Sequence, residues 1–367
     1  MKRTKIILAI AITTILAACS KPSFNDEKSP FKGDYLVLNN GNWNSNDSNI
    51  AVYDLSSKSL TEDAFFLVNE KNLGDLGQDI LVCGNEIYIS VSGSRRIFVT
   101  DLNLNIKKEI TYPGDGNGQD SGQGNAQQAY QPRYLCEYNG KVYVTYYEGF
   151  LGRISPEDGY KVECTQVGEY PEGVACCGEK AYVANSGGMN YPEYGNTVSV
   201  VDLASFKETG TFQVNTNPEF IEASEDGSKI FVSSKGNYLD IPGTLEVVST
   251  SDGKVTDLSL NNLVYMDKGP GNKLYLLTGG YDSSYNPLPG KILVINMSDT
   301  TTGTAEFMRD GAEFPQAYSL SATSDGYIFV GCSDYQNNGD VYVITPEGNK
   351  YDKFDSMGLN PIRVVKK

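Results

Sequence analysis

The chain has 367 residues, a formal net charge of −16 at neutral pH and no histidine. Its acidic balance disfavours binding to nucleic acid or to an anionic membrane surface. The absence of histidine excludes Ser-His-Asp triads, histidine-ligated zinc, and axial histidine ligation of a haem or a corrin.

The first 18 residues have the pattern of a signal peptide. A basic start is followed by an apolar run over residues 6–16, which is too short to span a bilayer. A Leu-Ala-Ala-Cys sequence ending at Cys19 then matches the cleavage pattern of bacterial lipoproteins, although an ordinary signal peptide with a chance cysteine is the alternative. We expect Cys19 to be lipidated and residues 19–32 to form a tether, so that the mature chain is anchored to a membrane without crossing it.

A short turn followed by an alternating strand with a central aromatic residue recurs along residues 33–367. The central residues of six copies are Tyr88, Tyr143, Tyr182, Phe231, Tyr275 and Phe329, and a degenerate seventh copy begins at Gly33. Successive copies of the six lie 55, 39, 49, 44 and 54 residues apart, about the length of a propeller blade. Each copy has one apolar strand before it and two after it. The pattern predicts an all-β fold of four-stranded antiparallel blades, with strands that we call A to D.

The two ends of the repeat region predict how the ring closes. The first unit begins at a strand B over residues 33–38, and residues 360–365 form a strand A with no strand B after it. Together these fragments complete one blade, which limits exposed sheet edges. We therefore predict a seven-bladed β-propeller whose first blade is closed by the C-terminal strand.

The connections predicted to lie on one face of the propeller are long. The B–C and D–A connections share this face, which we call the loop face, and the short A–B and C–D turns form the opposite plain face. Long loops on a rigid scaffold commonly carry function, and aromatic rings set among small polar residues suit a large amphipathic ligand. Packing between neighbouring loops is the alternative, for about half of these side chains; Trp43 and Tyr191 are the strongest ligand candidates. The candidate ligand-binding residues of the loops are Trp43, Tyr130, Tyr147, Met189, Tyr191, Tyr194, Tyr238, Tyr281, Tyr285 and Tyr335.

A second set of candidates is polar and stands at the start of strand A. We expect these side chains near the mouth of the central channel on the loop face, where they either grip a ligand or line a solvated rim. The set comprises Gln78, Arg133, Glu172, Glu219 and Gln316. No residue is assigned a catalytic role; a propeller hydrolase or lyase would have to use carboxylates such as Glu172 and Glu219.

Neither cysteines nor aspartates predict a metal site. Six cysteines between Cys83 and Cys332 lack C-x-x-C spacing, and both disulfides and buried free thiols remain open for them. The loop over residues 113–131 begins like a calcium loop at Asp115 but lacks the glycine at its sixth position and the glutamate at its twelfth. We interpret it as a flexible Gly/Gln loop and predict no metal and no cofactor.

Several stretches resemble a known propeller family. Residues 181–186 (Ala-Tyr-Val-Ala-Asn-Ser), followed by residues 196–203 (Asn-Thr-Val-Ser-Val-Val-Asp-Leu), resemble the YVTN-type repeat. With residues 38–43 (Leu-Asn-Asn-Gly-Asn-Trp) and 72–78 (Asn-Leu-Gly-Asp-Leu-Gly-Gln), the chain resembles the exported propeller lipoproteins of Bacteroidetes. Among these, the BtuG group captures cobalamin (vitamin B12) and passes it to the TonB-dependent transporter BtuB.

The resemblance implies a non-enzymatic, surface-exposed lipoprotein of the outer membrane. Cobalamin would be its transported ligand rather than a cofactor, and a TonB-dependent transporter of the BtuB type would be its partner. Another nutrient such as a glycan, an envelope scaffold or adhesion role, and a propeller hydrolase or lyase are the alternatives, in that order.

Overall fold

A computed structural model describes residues 30–111, 130–282, 284 and 286–367. The predicted signal peptide, Cys19, most of the 113–131 loop and Tyr285 lie outside these residues. The described chain forms seven four-stranded antiparallel sheets, which are the blades of a propeller. The predicted fold class is therefore confirmed.

The blades follow one another along the chain, and strand A of each lies next to the central channel. Blade 1 contains β1 (Tyr35–Asn39), β2 (Asn49–Asp54), β3 (Ser59–Thr61) and β28 (Pro361–Lys366), and a short helix α1 (Ala64–Asn69) follows β3. Blade 2 contains β4 (Gly77–Cys83), β5 (Glu86–Val91), β6 (Arg96–Asp101) and β7 (Ile106–Ile110). Blade 3 contains β8 (Pro132–Tyr138), β9 (Lys141–Tyr146), β10 (Phe150–Ser155) and β11 (Lys161–Gln166). Blade 4 contains β12 (Pro171–Cys177), β13 (Lys180–Asn185), β14 (Thr197–Asp202) and β15 (Lys207–Gln213). Blades 5 to 7 are β16 (Pro218–Ala223), β17 (Lys229–Ser234), β18 (Thr244–Ser249) and β19 (Val255–Asp257); β20 (Leu263–Gly269), β21 (Lys273–Thr278), β22 (Lys291–Asn296) and β23 (Ala305–Glu306); and β24 (Ala317–Ala322), β25 (Ile328–Cys332), β26 (Asp340–Ile344) and β27 (Lys350–Asp355).

The ring closes in blade 1, as the sequence predicts. Strand β28 pairs antiparallel with β1, with Val37 opposite Val364 and Tyr35 opposite Lys366. The sheet order is β28-β1-β2-β3, so the C-terminal strand supplies strand A of the first blade. The two ends of the propeller are thus held in one sheet.

Burial along the blades explains why strand B is nearly continuous in apolar residues. Both faces of a B strand pack against neighbouring blades, whereas D strands such as β15 are mostly exposed. The central aromatic residues Tyr88, Phe231 and Phe329 are almost completely buried. Burying a side chain of this size contributes roughly 1.5–3 kcal/mol to stability, so the repeat marks the core between the blades.

A left-handed residue precedes strand A in six of the seven blades and shapes the channel mouth. Its carbonyl accepts a hydrogen bond from the N–H group just beyond strand B, as in Lys235 to Asn217 (2.9 Å) and Ser333 to Gln316 (3.1 Å). In blade 3 the acceptor is Gln131, which binds the N–H of Tyr147 at 2.9 Å. The residues with positive φ are Leu76, Tyr170, Asn217, Asn262, Gln316 and Asn360.

The cysteines realise both of the alternatives that the sequence leaves open. Cys136 of β8 and Cys176 of β12 form a disulfide that joins blades 3 and 4. Cys83, Cys164, Cys177 and Cys332 are free thiols. Among the described residues, no helix has the length and apolar character needed to cross a membrane.

Candidate ligand site on the loop face

The rim of the loop face carries most of the exposed large apolar side chains. Trp43, Met189, Tyr191, Tyr238, Tyr281 and Tyr335 are between 49% and 70% exposed. Leu239, Ile241 and Met357, which the sequence analysis did not single out, lie on the same face. In the described part of the chain, the remaining large, apolar and exposed residues are Phe66 and Leu67 of α1. This helix belongs to the D–A connection of blade 1 but extends to the plain-face turn of blade 2, where Asn69 Nδ2 donates to the carbonyl of Leu104 at 2.8 Å. Exposed apolar surface concentrated on one face is typical of a binding site.

Three of the predicted tyrosines form one group, which we call the tyrosine triad: Tyr191, Tyr194 and Tyr238. The ring centroids of Tyr191 and Tyr194 are 6.0 Å apart at an interplanar angle of 71°. Those of Tyr194 and Tyr238 are also 6.0 Å apart, at 77°. These edge-to-face contacts connect the B–C loops of blades 4 and 5.

A second aromatic group lies at blades 6 and 7. The rings of Tyr335 and Tyr318 are 5.6 Å apart in an edge-to-face arrangement. Burial raises the pKa of Tyr335, and the nearby hydroxyl of Tyr281 raises it further. Tyr318 was not predicted, because a bulge between Ala317 and Ser319 shifts the register of β24.

Two other predicted aromatic residues pack against neighbours instead. Tyr130 stacks on Phe150 at 5.1 Å and 4° and lies 5.7 Å from Tyr146. Tyr147 meets the ring of Tyr170 at 5.1 Å. These residues match the loop-packing alternative.

Arg133 organises the polar residues at the channel mouth. Its Nε and Nη2 donate to the two carboxylate oxygens of Glu172 at 2.8 and 3.0 Å. Its Nη1 donates to Gln78 Oε1 at 2.7 Å and to Ser92 Oγ at 3.3 Å. Burial raises the pKa of Glu172, and the guanidinium opposes that rise. Gln78, Arg133 and Glu172 therefore come together as predicted, and they satisfy one another's hydrogen-bonding capacity.

Glu219 forms a separate ion pair, with Lys235 at 3.0 Å. Lys235, which the sequence analysis missed, also donates to the carbonyl of Val264 at 3.1 Å and stands 5.3 Å from the ring centroid of Phe220. It follows strand B directly, and that position relative to the channel is the signal that could have identified it. Gln316 is exposed and takes part through its backbone carbonyl.

Aromatic rings from three blades meet in the channel below this mouth. Phe220 lies 5.8 Å from Tyr134 and 4.3 Å from Tyr265, measured between ring centroids. Tyr134 and Phe220 belong to blades 3 and 5, which are not neighbours, so their contact reaches across part of the channel. Tyr265 belongs to blade 6, next to blade 5. The mouth is therefore a cup with an aromatic floor.

A charged layer lies beneath the aromatic floor, toward the plain face. Arg363 of β28 reaches Asp267 of blade 6 at 2.9 Å and Asp79 of blade 2 at 3.8 Å. Each aspartate also accepts a backbone N–H of the following blade: Asp79 from Leu135 at 2.9 Å, and Asp267 from Ala322 at 2.7 Å. The layer thus links blades across the ring.

Burial shifts the protonation of this layer. It raises the pKa of Asp79 to about 6, against the opposing effect of Arg363. It raises the pKa of Glu222 to about 8, and the nearby charge of Asp267 adds to the rise. The residues of this layer were not predicted, although charged residues within otherwise apolar A strands indicate such a layer.

A cavity of about 500 Å³ opens on the plain face between blades 2 and 3. Its charged lining residues already have partners: Glu86 is paired with Lys107, and Glu137 accepts the N–H of Gly140 at 2.7 Å. Within the described ranges, no three or more cysteine or acidic side chains are placed to hold a metal ion. The loop face remains the better candidate.

Comparisons with known proteins support the fold. No protein-family model matches the sequence, and no curated protein matches it. Among solved structures, the chain is similar to hydrazine synthase of Kuenenia stuttgartiensis, with a TM-score of 0.61 and 15% identity, over 79% of this chain and 89% of that chain. At this identity the similarity concerns the fold alone.

Proposed function

We propose that this propeller is a surface lipoprotein of the outer membrane that captures cobalamin or a related corrinoid on its loop face and delivers it to a TonB-dependent transporter. The observation that carries the proposal is the set of exposed aromatic side chains on the loop face, which surrounds the paired polar residues of the channel mouth. It is a proposal for a binding protein, since the carboxylates that an enzyme would need, Glu172 and Glu219, are engaged in ion pairs.

The rim fits the chemistry of a corrinoid. A corrinoid combines a broad apolar macrocycle with many amide side chains, and such a ligand needs both aromatic contact area and hydrogen-bonding groups. Tyrosine offers both in one side chain. The chain has no histidine that could replace an axial ligand of the metal, which is compatible with binding of the intact cobalamin.

The position of the N-terminal residues is compatible with presentation of the loop face. Phe31 is buried, and the ammonium of Lys367 stands 4.5 Å from the centroid of its ring. The backbone N–H of Lys367 donates to the backbone carbonyl of Asp34 at 2.9 Å. These contacts lie on the plain face, where strand B of blade 1 begins. A lipid on Cys19 would therefore attach on the side opposite the loop face, through a tether that reaches at most roughly 40 Å.

Titration of the purified protein with cyanocobalamin tests the proposal. Trp43 is the sole tryptophan and lies on the loop face, so its fluorescence reports ligand there, with calorimetry as a second measurement. We expect micromolar or tighter binding that weakens at least about tenfold in Trp43→Ala or Tyr191→Ala. Leu67→Ala, at an exposed residue of α1, is the matched control and should bind like the wild type. Absence of binding at micromolar protein would overturn the corrinoid assignment.

A glycan is the second candidate ligand, because exposed tyrosine rings also stack on the apolar faces of sugars. Binding to a glycan panel, together with loss of that binding in Tyr191→Ala and no response to cyanocobalamin, would favour it.

A further inference from the structure

We propose that the loop face prefers cationic ligands to anionic ones, and that the tyrosine triad contacts the positively charged group. The inference rests on the proposed function in taking the loop face as the binding site. It goes further in assigning the charge preference of that site and the residues responsible for it.

The charges of the loop face are not balanced. In the described part of this face the lysines and arginines each lie within 4 Å of a carboxylate, so their charges are compensated. Arg309, in the D–A connection of blade 6, instead contacts a plain-face turn, where its Nε donates to the carbonyl of Glu347 at 2.6 Å. The pairs are Lys71–Glu109, Arg95–Glu148, Arg96–Glu109, Arg133–Glu172, Lys235–Glu219, Lys291–Glu313 and Lys353–Asp340. Further carboxylates on the face have no such partner, among them Asp47, Asp75, Glu169, Glu193, Asp240, Asp282, Asp334 and Asp355. The uncompensated charge of the face is therefore negative.

Several of these carboxylates lie close to the rings of the triad. Glu193 stands between two members of the triad in the same loop, and Asp240 follows the third by two residues. Glu169 is tied to this loop, since its Oε2 accepts from Asn190 Nδ2 at 2.7 Å. Burial raises the pKa of Tyr238, and the charge of Glu219 adds to the rise.

The turn that carries Tyr238 is held in place before any ligand arrives. Tyr238 has a left-handed backbone with φ of 58°, which a bulky residue adopts only when its surroundings impose it. Asn237 Oδ1 accepts the N–H groups of Leu239, Asp240 and Ile241 at 3.0, 3.1 and 2.9 Å. A rigid turn of this kind lowers the entropic cost of binding.

Together these features fit recognition of an organic cation. Tyr191 and Tyr238 are 60% and 67% exposed although both contact Tyr194, so their rings are accessible to a ligand, and cations are attracted to the faces of aromatic rings. Exposed cation–π contacts change affinity by about two- to fivefold each, and the surrounding carboxylates act in the same direction.

Two dyes that share the xanthene core test the inference directly. A cationic rhodamine ester and anionic fluorescein present similar aromatic surfaces with opposite charge, and fluorescence anisotropy measures the binding of each. We expect the rhodamine ester to bind at least about tenfold more tightly at about 20 mM salt, and the preference to shrink at about 500 mM salt. Tyr238→Leu should weaken rhodamine binding about two- to fivefold, whereas Tyr238→Phe and Leu67→Ala should retain it.

Equal affinity for the two dyes, or a preference that Tyr238→Leu does not alter, would overturn the inference. A cyanocobalamin titration of the same samples separates the two proposals. Rhodamine preference without cyanocobalamin binding would overturn the proposed function alone. Cyanocobalamin binding without any dye preference would overturn this inference alone.

Discussion

The channel and the rim of the loop face contain the same kinds of residue but use them differently. In the channel, Tyr134 and Tyr265 pack against Phe220, and Arg363 lies against buried aspartates. On the rim, tyrosines are half exposed, and many carboxylates have no cationic partner. Tyrosines and charged residues near the axis of a propeller therefore do not in themselves indicate a binding site. What distinguishes the two regions is whether each group already has its partners.

The largest change in the free energy of unfolding is expected at Arg363 of the channel. Arg363→Met leaves buried Asp79 and Asp267 without their counter-ion, so the free energy of unfolding should fall by about 3–5 kcal/mol. Urea denaturation at about pH 8 measures the change. Trp43→Ala on the rim is the control and should change stability by less than about 0.5 kcal/mol. Equal losses in the two variants would break the distinction between channel and rim.

The buried carboxyl of Glu222 in the channel should make the stability of the protein depend on pH. Because folding raises the pKa of Glu222 to about 8, the stabilisation tied to its proton is complete below about pH 4.5 and is lost as the pH rises through 8. Glu222→Gln should therefore remove on the order of 2 kcal/mol of the decline in unfolding free energy between about pH 5 and pH 9. Denaturation of both proteins at several pH values gives this difference. Parallel pH profiles for wild type and variant would contradict it.

A smaller effect is expected at the corner before strand A. Gln316 has a left-handed backbone with φ of 46°, a conformation that glycine adopts without a steric penalty. Gln316→Gly should raise the unfolding free energy by about 0.5–1 kcal/mol, which thermal denaturation would detect. If its side chain gripped the ligand, affinity would fall as well. Unchanged affinity would assign the residue to the scaffold.

The smallest stability effect is expected within the tyrosine triad. Tyr191 is exposed, so Tyr191→Ala should change the unfolding free energy by less than about 0.5 kcal/mol while reducing ligand affinity. Urea denaturation and ligand titration of the same sample make the comparison. A stability loss above about 2 kcal/mol would show instead that the rings exist to hold the loops together.

The blades could be predicted from sequence because their determinants are local. Alternation around Tyr88 or Phe231 depends on burial of one short strand, and the incomplete ends left a single way to close the ring. The polar mouth was predicted in part: Arg133 and Glu172 meet, but their mutual pairing depends on the spacing of neighbouring blades. Tyr318 was missed because a bulge is set by packing, which no short stretch of sequence encodes.

The closure of blade 1 has a consequence for synthesis. Strands β1 to β3 leave the ribosome first, yet the inner edge of β1 stays unpaired until residues 361–366 have been made. An unpaired edge can pair with other chains, so the nascent propeller is exposed to misassembly while blades 2 to 7 are made. The same dependence means that a single proteolytic cut before residue 361 would release the strand that carries Arg363, and with it both the seal of the ring and the charge at its centre.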